Sequence, residues 1–311
     1  MSTKIFAVAP YHHPSGGFFK ELPYHAWMTI GGKEKRSRYL PNKLIGLAYH
    51  IEMPTLKCGN QTARLRFVEA LSISFDSFPD YIWSETVPFV WDCWPCYFEK
   101  TAKWLVKHKV KTAIFTSSQT AEMMRKRLPS LNVMSVTEGI DTSLYKPGGD
   151  LASRQIDLLE YGSIKRNFFR NYVTGINHIN AKNANGCMDS WDQMTDTMSS
   201  AKVTIALPRC DTDPEFTGGI ETLTQRFWEC MLSRTVLLGR APRELVDLLG
   251  YNPVIELDKE HPDEQVRQIV EHISDYQELV DKNRKVALKM APWELRMKQV
   301  MDWLVSLGYE I

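Results

Sequence analysis

The sequence predicts an α/β protein built from two doubly wound domains, and three observations carry that expectation. The chain opens on a short apolar strand, Lys4 to Ala9, which runs into a loop holding Gly16 and Gly17. A buried first strand followed by a glycine loop is the usual start of such a domain. At Tyr145-Lys146-Pro147-Gly148-Gly149-Asp150 a Pro/Gly break has linker character. Beyond it a second strand–helix series begins at Ile156-Asp157-Leu158-Leu159-Glu160-Tyr161-Gly162. The expected domains are therefore 1-148 and 149-311.

Taken in order, the first half offers further apolar runs at Leu44 to Tyr49, Tyr81 to Trp83, Phe89 to Trp91, Ala113 to Thr116 and Val133 to Val136. Ser118 to Leu128 reads as a helix that Ser117 or Ser118 can cap. A second helix, Tyr97 to Val110, carries Lys100, Lys103, Lys107, His108 and Lys109 beside Phe98, Trp104 and Leu105. In the second half, Val203 to Leu207, Val236 to Leu238 and Val254 to Leu257 read as buried strands. The last helix, about 292-307, places Trp293, Leu295, Met297, Val300, Met301, Trp303 and Leu304 on apolar positions. The sequence holds no internal repeat and no low-complexity segment.

Composition narrows the function classes. At 311 residues each half can bury its own core. Lysine plus arginine is 38 against 37 acidic residues, so no overall field points to nucleic acid. Met1 to Lys20 lacks the pattern of a signal peptide, and no stretch reaches the ~18 apolar residues of a spanning helix. Six irregularly spaced cysteines fit a reducing compartment better than a disulfide framework. The expectation is a soluble, cytoplasmic protein.

The most informative segment is Gly219-Ile220-Glu221-Thr222-Leu223-Thr224-Gln225-Arg226-Phe227-Trp228-Glu229. A loop-borne Glu221 and a helical Glu229 stand slightly more than two helical turns apart, a spacing that suits an elongated ligand with two sets of hydroxyls. The segment resembles the E-x7-E region of the family-four retaining glycosyltransferases. It is similar also to their spore-maturation-like relatives, whose Arg–aromatic–x–Glu core is matched by Arg226-Phe227-Trp228-Glu229. The resemblance implies the GT-B fold: two Rossmann-like domains facing a cleft, with the C-terminal helix crossing back to the first domain. It implies that Glu221 touches the transferred sugar and Glu229 the ribose diol of a nucleotide-sugar substrate. Retention of anomeric configuration rests on the resemblance alone. An inverting GT-B enzyme and a non-catalytic nucleotide- or glycan-binding module are the alternatives.

Two further stretches resemble the same enzymes. Thr137-Glu138-Gly139-Ile140-Asp141 stands where the family has Asn-Gly-Val-Asp; its glycine permits positive φ and its aspartate can brace the turn. Pro88-Phe89-Val90-Trp91-Asp92 matches a strand that ends in His-Asp, with tryptophan in the histidine position. Asp92 is thereby a candidate for binding the acceptor or taking its proton, and a helix N-cap on the bland reading. For the diphosphate, Tyr161-Gly162-Ser163-Ile164-Lys165-Arg166 offers Gly162, Lys165 and Arg166, with Arg170 in reserve. Gly16 and Gly17 can bring backbone N–H groups to the phosphate, and Thr224 and Gln225 can donate at the opposite helix start. The expected acceptor is a glycan or lipid-linked glycan. Lys100, Lys103 and Lys107 suit peripheral contact with the inner face of a membrane.

Other chemistries are weaker. Cys93-Trp94-Pro95-Cys96 has the spelling of a thioredoxin-type motif but lies inside the glycosyltransferase-like stretch. Asp211-Thr212-Asp213 has the spelling of a metal triplet but reads as a loop, and His12-His13 lacks a second ligand pair at zinc spacing. No metal or cofactor is expected.

Overall fold

The computed structural model describes residues 2–10, 18–36, 51, 53–56, 62–164, 167–180, 182–183 and 188–311. It divides into two compact units. The first comprises 1–138, 216–220 and 293–311, and the second 139–215 and 221–292.

Among the described residues the first unit is a sheet of six parallel strands. They are β1 (Thr3–Val8), β2 (Thr62–Glu69), β3 (Glu85–Trp91), β4 (Thr112–Phe115), β5 (Asn132–Ser135) and β11 (Tyr309–Glu310), in the order β11-β1-β2-β3-β4-β5. Alternation along β2 divides the core between two faces, as the two-residue period of a strand requires. Ala63, Leu65 and Phe67 join Ile5, Phe89, Trp91, Trp293, Met297, Val300 and Leu304 on one face. Val68 joins Val90, Phe115, Phe98, Trp104 and Leu105 on the other. Helices Glu21–Thr29 and Trp293–Ser306 cover the first face, while Pro95–Lys107 and Ser118–Arg127 cover the second. The last helix thus returns to the first unit, and β11 behind it pairs with β1.

Strand β2 went unrecognised in the sequence because Arg64 and Arg66 interrupt its apolar run. Both are buried. Arg66 donates through Nε to the Asp76 carbonyl at 2.7 Å and through Nη1 to Asp80 at 3.2 Å. The run Tyr81 to Trp83, by contrast, belongs to a short helix, Asp80–Trp83. Ser117 caps the helix Ser118–Arg127 by accepting from Thr120 N at 3.3 Å. Leu44 to Tyr49 lies outside the described residues.

The second unit holds β6 (Ile156–Leu159), β7 (His178–Ile179), β8 (Ala201–Ala206), β9 (Val236–Gly239) and β10 (Ile255–Glu256). All pairings are parallel, in the order β10-β9-β8-β6-β7. Both faces are covered, which is why β9 reads as an unbroken apolar run. Leu237 packs with Phe227, Trp228 and Met231 of helix Gln225–Leu232, while Val236 and Leu238 pack with Val266 and Ile269 of helix Pro262–Glu271. Ile140 and Tyr145 belong to this core. Asp141 braces the turn that follows, accepting from Ser143 N at 2.9 Å, but Gly139 does not use the left-handed region.

Candidate functional site

The strand order of the second unit marks where a ligand site is expected. From β6 the chain runs outward to β7 and returns to β8 on the opposite side, so the order reverses between β6 and β8. In parallel sheets, ligands bind outside the carboxyl ends of the strands at such a switch point. Here β6 delivers Glu160, Tyr161 and Gly162, β8 is followed by Arg209, Cys210 and Asp211, and β9 by Arg240.

Glu229 belongs to the β6 group. It sits in the second turn of helix Gln225–Leu232, not at its start. Its Oε1 accepts from the Tyr145 hydroxyl at 3.1 Å and its Oε2 from the Tyr161 hydroxyl at 2.5 Å. Burial, reinforced by the Glu229 charge, pushes the pKa of Tyr145 far above that of an ordinary tyrosine. Burial does the same for Tyr161, with the Cys230 thiol and Glu229 adding to it. Both hydroxyls therefore stay protonated and act as donors. A carboxylate has about four lone-pair sites, so two tyrosines orient Glu229 without exhausting it. The Arg226 guanidinium lies 4.5 Å from the centroid of the Tyr161 ring. Gly162 leaves the strand with φ +98°, and a Cβ there would stand 2.5 Å from Arg226 Nη2.

Glu221 belongs to a second group, at the ends of β8 and β9. It lies on the segment before the helix, its side chain 14% exposed. One oxygen is bound by Arg240 and the other accepts from Arg243 N at 3.2 Å. Arg240 also grips Asp211 with two bonds of 2.7 and 2.8 Å. Those bonds hold the Asp211 carboxyl below the usual carboxylate range and push Arg240 up. Asp211 is thus an arginine partner at the end of a short helix rather than a solvated loop residue.

The remaining predicted residues separate. Thr224 is the N-cap of helix Gln225–Leu232 but its side chain makes no capping bond, and the buried Gln225 Nε2 has no hydrogen-bond partner among the described residues. Lys165, Arg166, Gly16 and Gly17 lie outside the described residues. The chain just after Arg166 is nonetheless held. Buried Glu160 accepts from Phe168 N at 2.7 Å and Phe169 N at 3.2 Å, and stands 3.2 Å from His178 Nε2. Arg170 is exposed. Asp92 is in the first unit, exposed, at φ 51°. It is not the helix cap, since Trp94 takes that place with Pro95 behind it. A non-glycine residue in the left-handed region persists only where its surroundings over-determine it, and such residues cluster at functional sites. Trp91, in the family's histidine position, is buried among Phe67, Phe89 and Trp293. Burial pushes the Cys93 thiol up to about 12, the reverse of what a redox-active cysteine needs.

Sequence reasoning missed Tyr145, Tyr161, Arg240 and Glu160. No local spacing marks them, because each acts on a partner brought to it by the sheet order.

No family model and no curated protein matches the chain in sequence. Solved structures do match in three dimensions. Anabaena Alr3699/HepE in complex with UDP and glucose superposes over 98% of this chain and 100% of its own, with TM-score 0.59 at 10% identity. Sucrose-phosphate synthase from Thermosynechococcus elongatus covers 95% of this chain over 80% of its own, with TM-score 0.54 at 12% identity. AviGT4, a glycosyltransferase involved in avilamycin A biosynthesis, covers 98% of each chain, with TM-score 0.53 at 11% identity. The fold shared with them is GT-B. Among the described residues, no helix is long and apolar enough to cross a membrane.

Proposed function

We propose that this chain transfers a sugar from a nucleotide-sugar donor to a hydroxyl of a carbohydrate acceptor, with retention at the anomeric carbon. The observation that carries the reading is the pair of glutamates at the carboxyl edge of the second sheet, each oriented by its own donors. In this reading residues 149-311 hold the donor and residues 1-148 the acceptor. Glu229, set by Tyr145 and Tyr161, accepts from the ribose diol. Glu221, with its charge balanced by Arg240, contacts the transferred sugar. Lys165 and Arg166, with Arg226 beside Gly162, neutralise the diphosphate as it leaves. Thr224 and Gln225 donate to it from the helix start, and Gly16 and Gly17 approach it with backbone N–H groups. Asp92 receives the acceptor proton. A lipid-linked acceptor belongs to the proposal too, because Lys100, Lys103 and Lys107 present positive charge that an anionic bilayer attracts. The UDP and UDP-glucose bound in the Anabaena structures make uridine donors the first to test.

Loss of a ribose contact weakens free nucleotide and intact donor alike, whereas loss of a sugar contact spares the nucleotide and damages turnover. Glu229→Ala is therefore expected to lose nucleoside-diphosphate affinity by about tenfold or more, a factor of about 1.4 kcal/mol. Glu221→Ala should bind the nucleotide nearly as the parent does and lose most transfer. Calorimetry and a donor-hydrolysis assay separate the two. Parent-like behaviour of both variants would sink the reading. Nucleotide binding with no turnover of any donor would leave a binding module, and the anomer of the product decides between retention and inversion.

A further inference from the structure

Helix Pro95–Lys107 buries Phe98, Thr101, Ala102, Trp104 and Leu105 and leaves Lys100, Lys103 and Lys107 exposed. Beside it, helix Ile73–Ser77 brings Ser74 to the same place. Together Ser74, Lys100, Lys103, Trp104 and Lys107 line a cavity of about 400 Å³, within the range of small-ligand sites.

Three features of this cavity point to one ligand chemistry. Among the described residues its lining has three lysines and no carboxylate, with the Lys100 ammonium donating to the Leu71 carbonyl at 3.0 Å. Lys100 and Lys103, and Lys103 and Lys107, are neighbours on the helix surface, where like charges repel. The acidic residue beside them in sequence, Glu99, is committed to Arg127 at 3.2 and 3.3 Å. Two lining side chains have unmet hydrogen-bonding capacity: Trp104 Nε1 and Ser74 Oγ are buried without a partner among the described residues, and Trp104 is only 4% exposed. A buried donor without an acceptor is costly, so it is rarely left unmet without a reason. Ammonium and indole groups are donors only. The complement of all of them is a compact anion rich in acceptor oxygens.

We propose that this pocket is a phosphate-ester site, filled either by the headgroup of an anionic phospholipid or by a soluble phosphorylated compound. It refines the membrane contact proposed above but uses none of the residues given a role in sugar transfer. Its test reads binding rather than turnover, so the two proposals fail separately.

The probes are inorganic pyrophosphate and vesicles of phosphatidylglycerol, with phosphatidylcholine vesicles as the neutral control. The Trp104 indole N–H resonance, identified by its loss in Trp104→Phe, reports on the pocket itself. It is expected to shift on pyrophosphate titration, with affinity at least tenfold weaker in Lys100→Gln/Lys103→Gln. All three lysines are exposed, so that double variant leaves the core intact. Should Trp104→Phe not fold, the indole signal that responds in the parent and not in the double variant serves instead. A pyrophosphate response with lysine-dependent capture on phosphatidylglycerol identifies the lipid headgroup, and a response without capture identifies a soluble phosphate. No indole response at millimolar pyrophosphate overturns the proposal. So does vesicle capture that needs the lysines while the indole stays silent, since diffuse surface charge then explains it.

Discussion

Gly162 shows how a single residue fixes the geometry of the candidate donor site. Its φ of +98° is strained for any side chain, and a Cβ would press on the end of Arg226. Arg226 can swing aside, but only by leaving the Tyr161 ring that it covers. Gly162→Ala is expected to cost about 1–3 kcal/mol of stability, read by denaturant unfolding, and to weaken nucleoside-diphosphate binding as well. Unchanged stability would mean that the exit from β6 does not need this conformation. At this scale the sequence was legible only in part. The two glutamates stood out because they share one short segment with a recognisable spacing. Their partners did not, since Tyr145 and Tyr161 are 84 and 68 residues from Glu229 in the chain. Nothing in a tyrosine beside a linker announces that its hydroxyl will meet a carboxylate from a later helix.

Among elements, those whose burial matches a simple period were readable in advance. The helix Ser118–Arg127 carries its serine cap, and Trp293–Ser306 carries a continuous apolar stripe. Strand β2 failed the same test because two charged residues are buried on one of its faces. Arg66 is the clearer case, 2% exposed and bonded to Asp80 and to the carbonyls of Asp76 and Phe78. Sequence patterning reads arginine as solvent-facing, whereas here it ties the turn at 76–80 to the sheet. Truncating one partner of a buried pair leaves the other charge uncompensated. Arg66→Met is therefore expected to destabilise the first unit by roughly 3–5 kcal/mol, measured by chemical denaturation. Arg66→Met/Asp80→Leu should recover none of that loss, because Asp80 also faces Arg64, 3.8 Å away, and its removal leaves that buried guanidinium uncompensated. A loss below about 1 kcal/mol, the size of an ordinary hydrogen bond, would show that the pair is not a structural strut.

The molecule as a whole depends on a segment far from the rest of its unit in sequence. Residues 293–311 supply Trp293, Met297, Val300, Leu304 and Tyr309 to the first core. A chain ended at residue 292 keeps all of the second unit and removes a helix from one face of the first sheet. Limited proteolysis of that chain is expected to cut within 1–138 while 139–292 stays resistant. Equal resistance of both parts would show that the first sheet does not need the helix.

That same return of the chain sets a schedule for synthesis. A ribosome delivers β1 to β5 early, yet the apolar face lined by Ile5, Phe67 and Phe89 waits for residues beyond 292 to complete the cover begun by helix Glu21–Thr29. At about 5–20 residues per second the wait is on the order of ten seconds. The second unit, whose last residue is 292, can close during that interval. The part made first is therefore the part finished last, and until then helix Glu21–Thr29 alone covers a sheet face whose exposed remainder a chaperone would recognise.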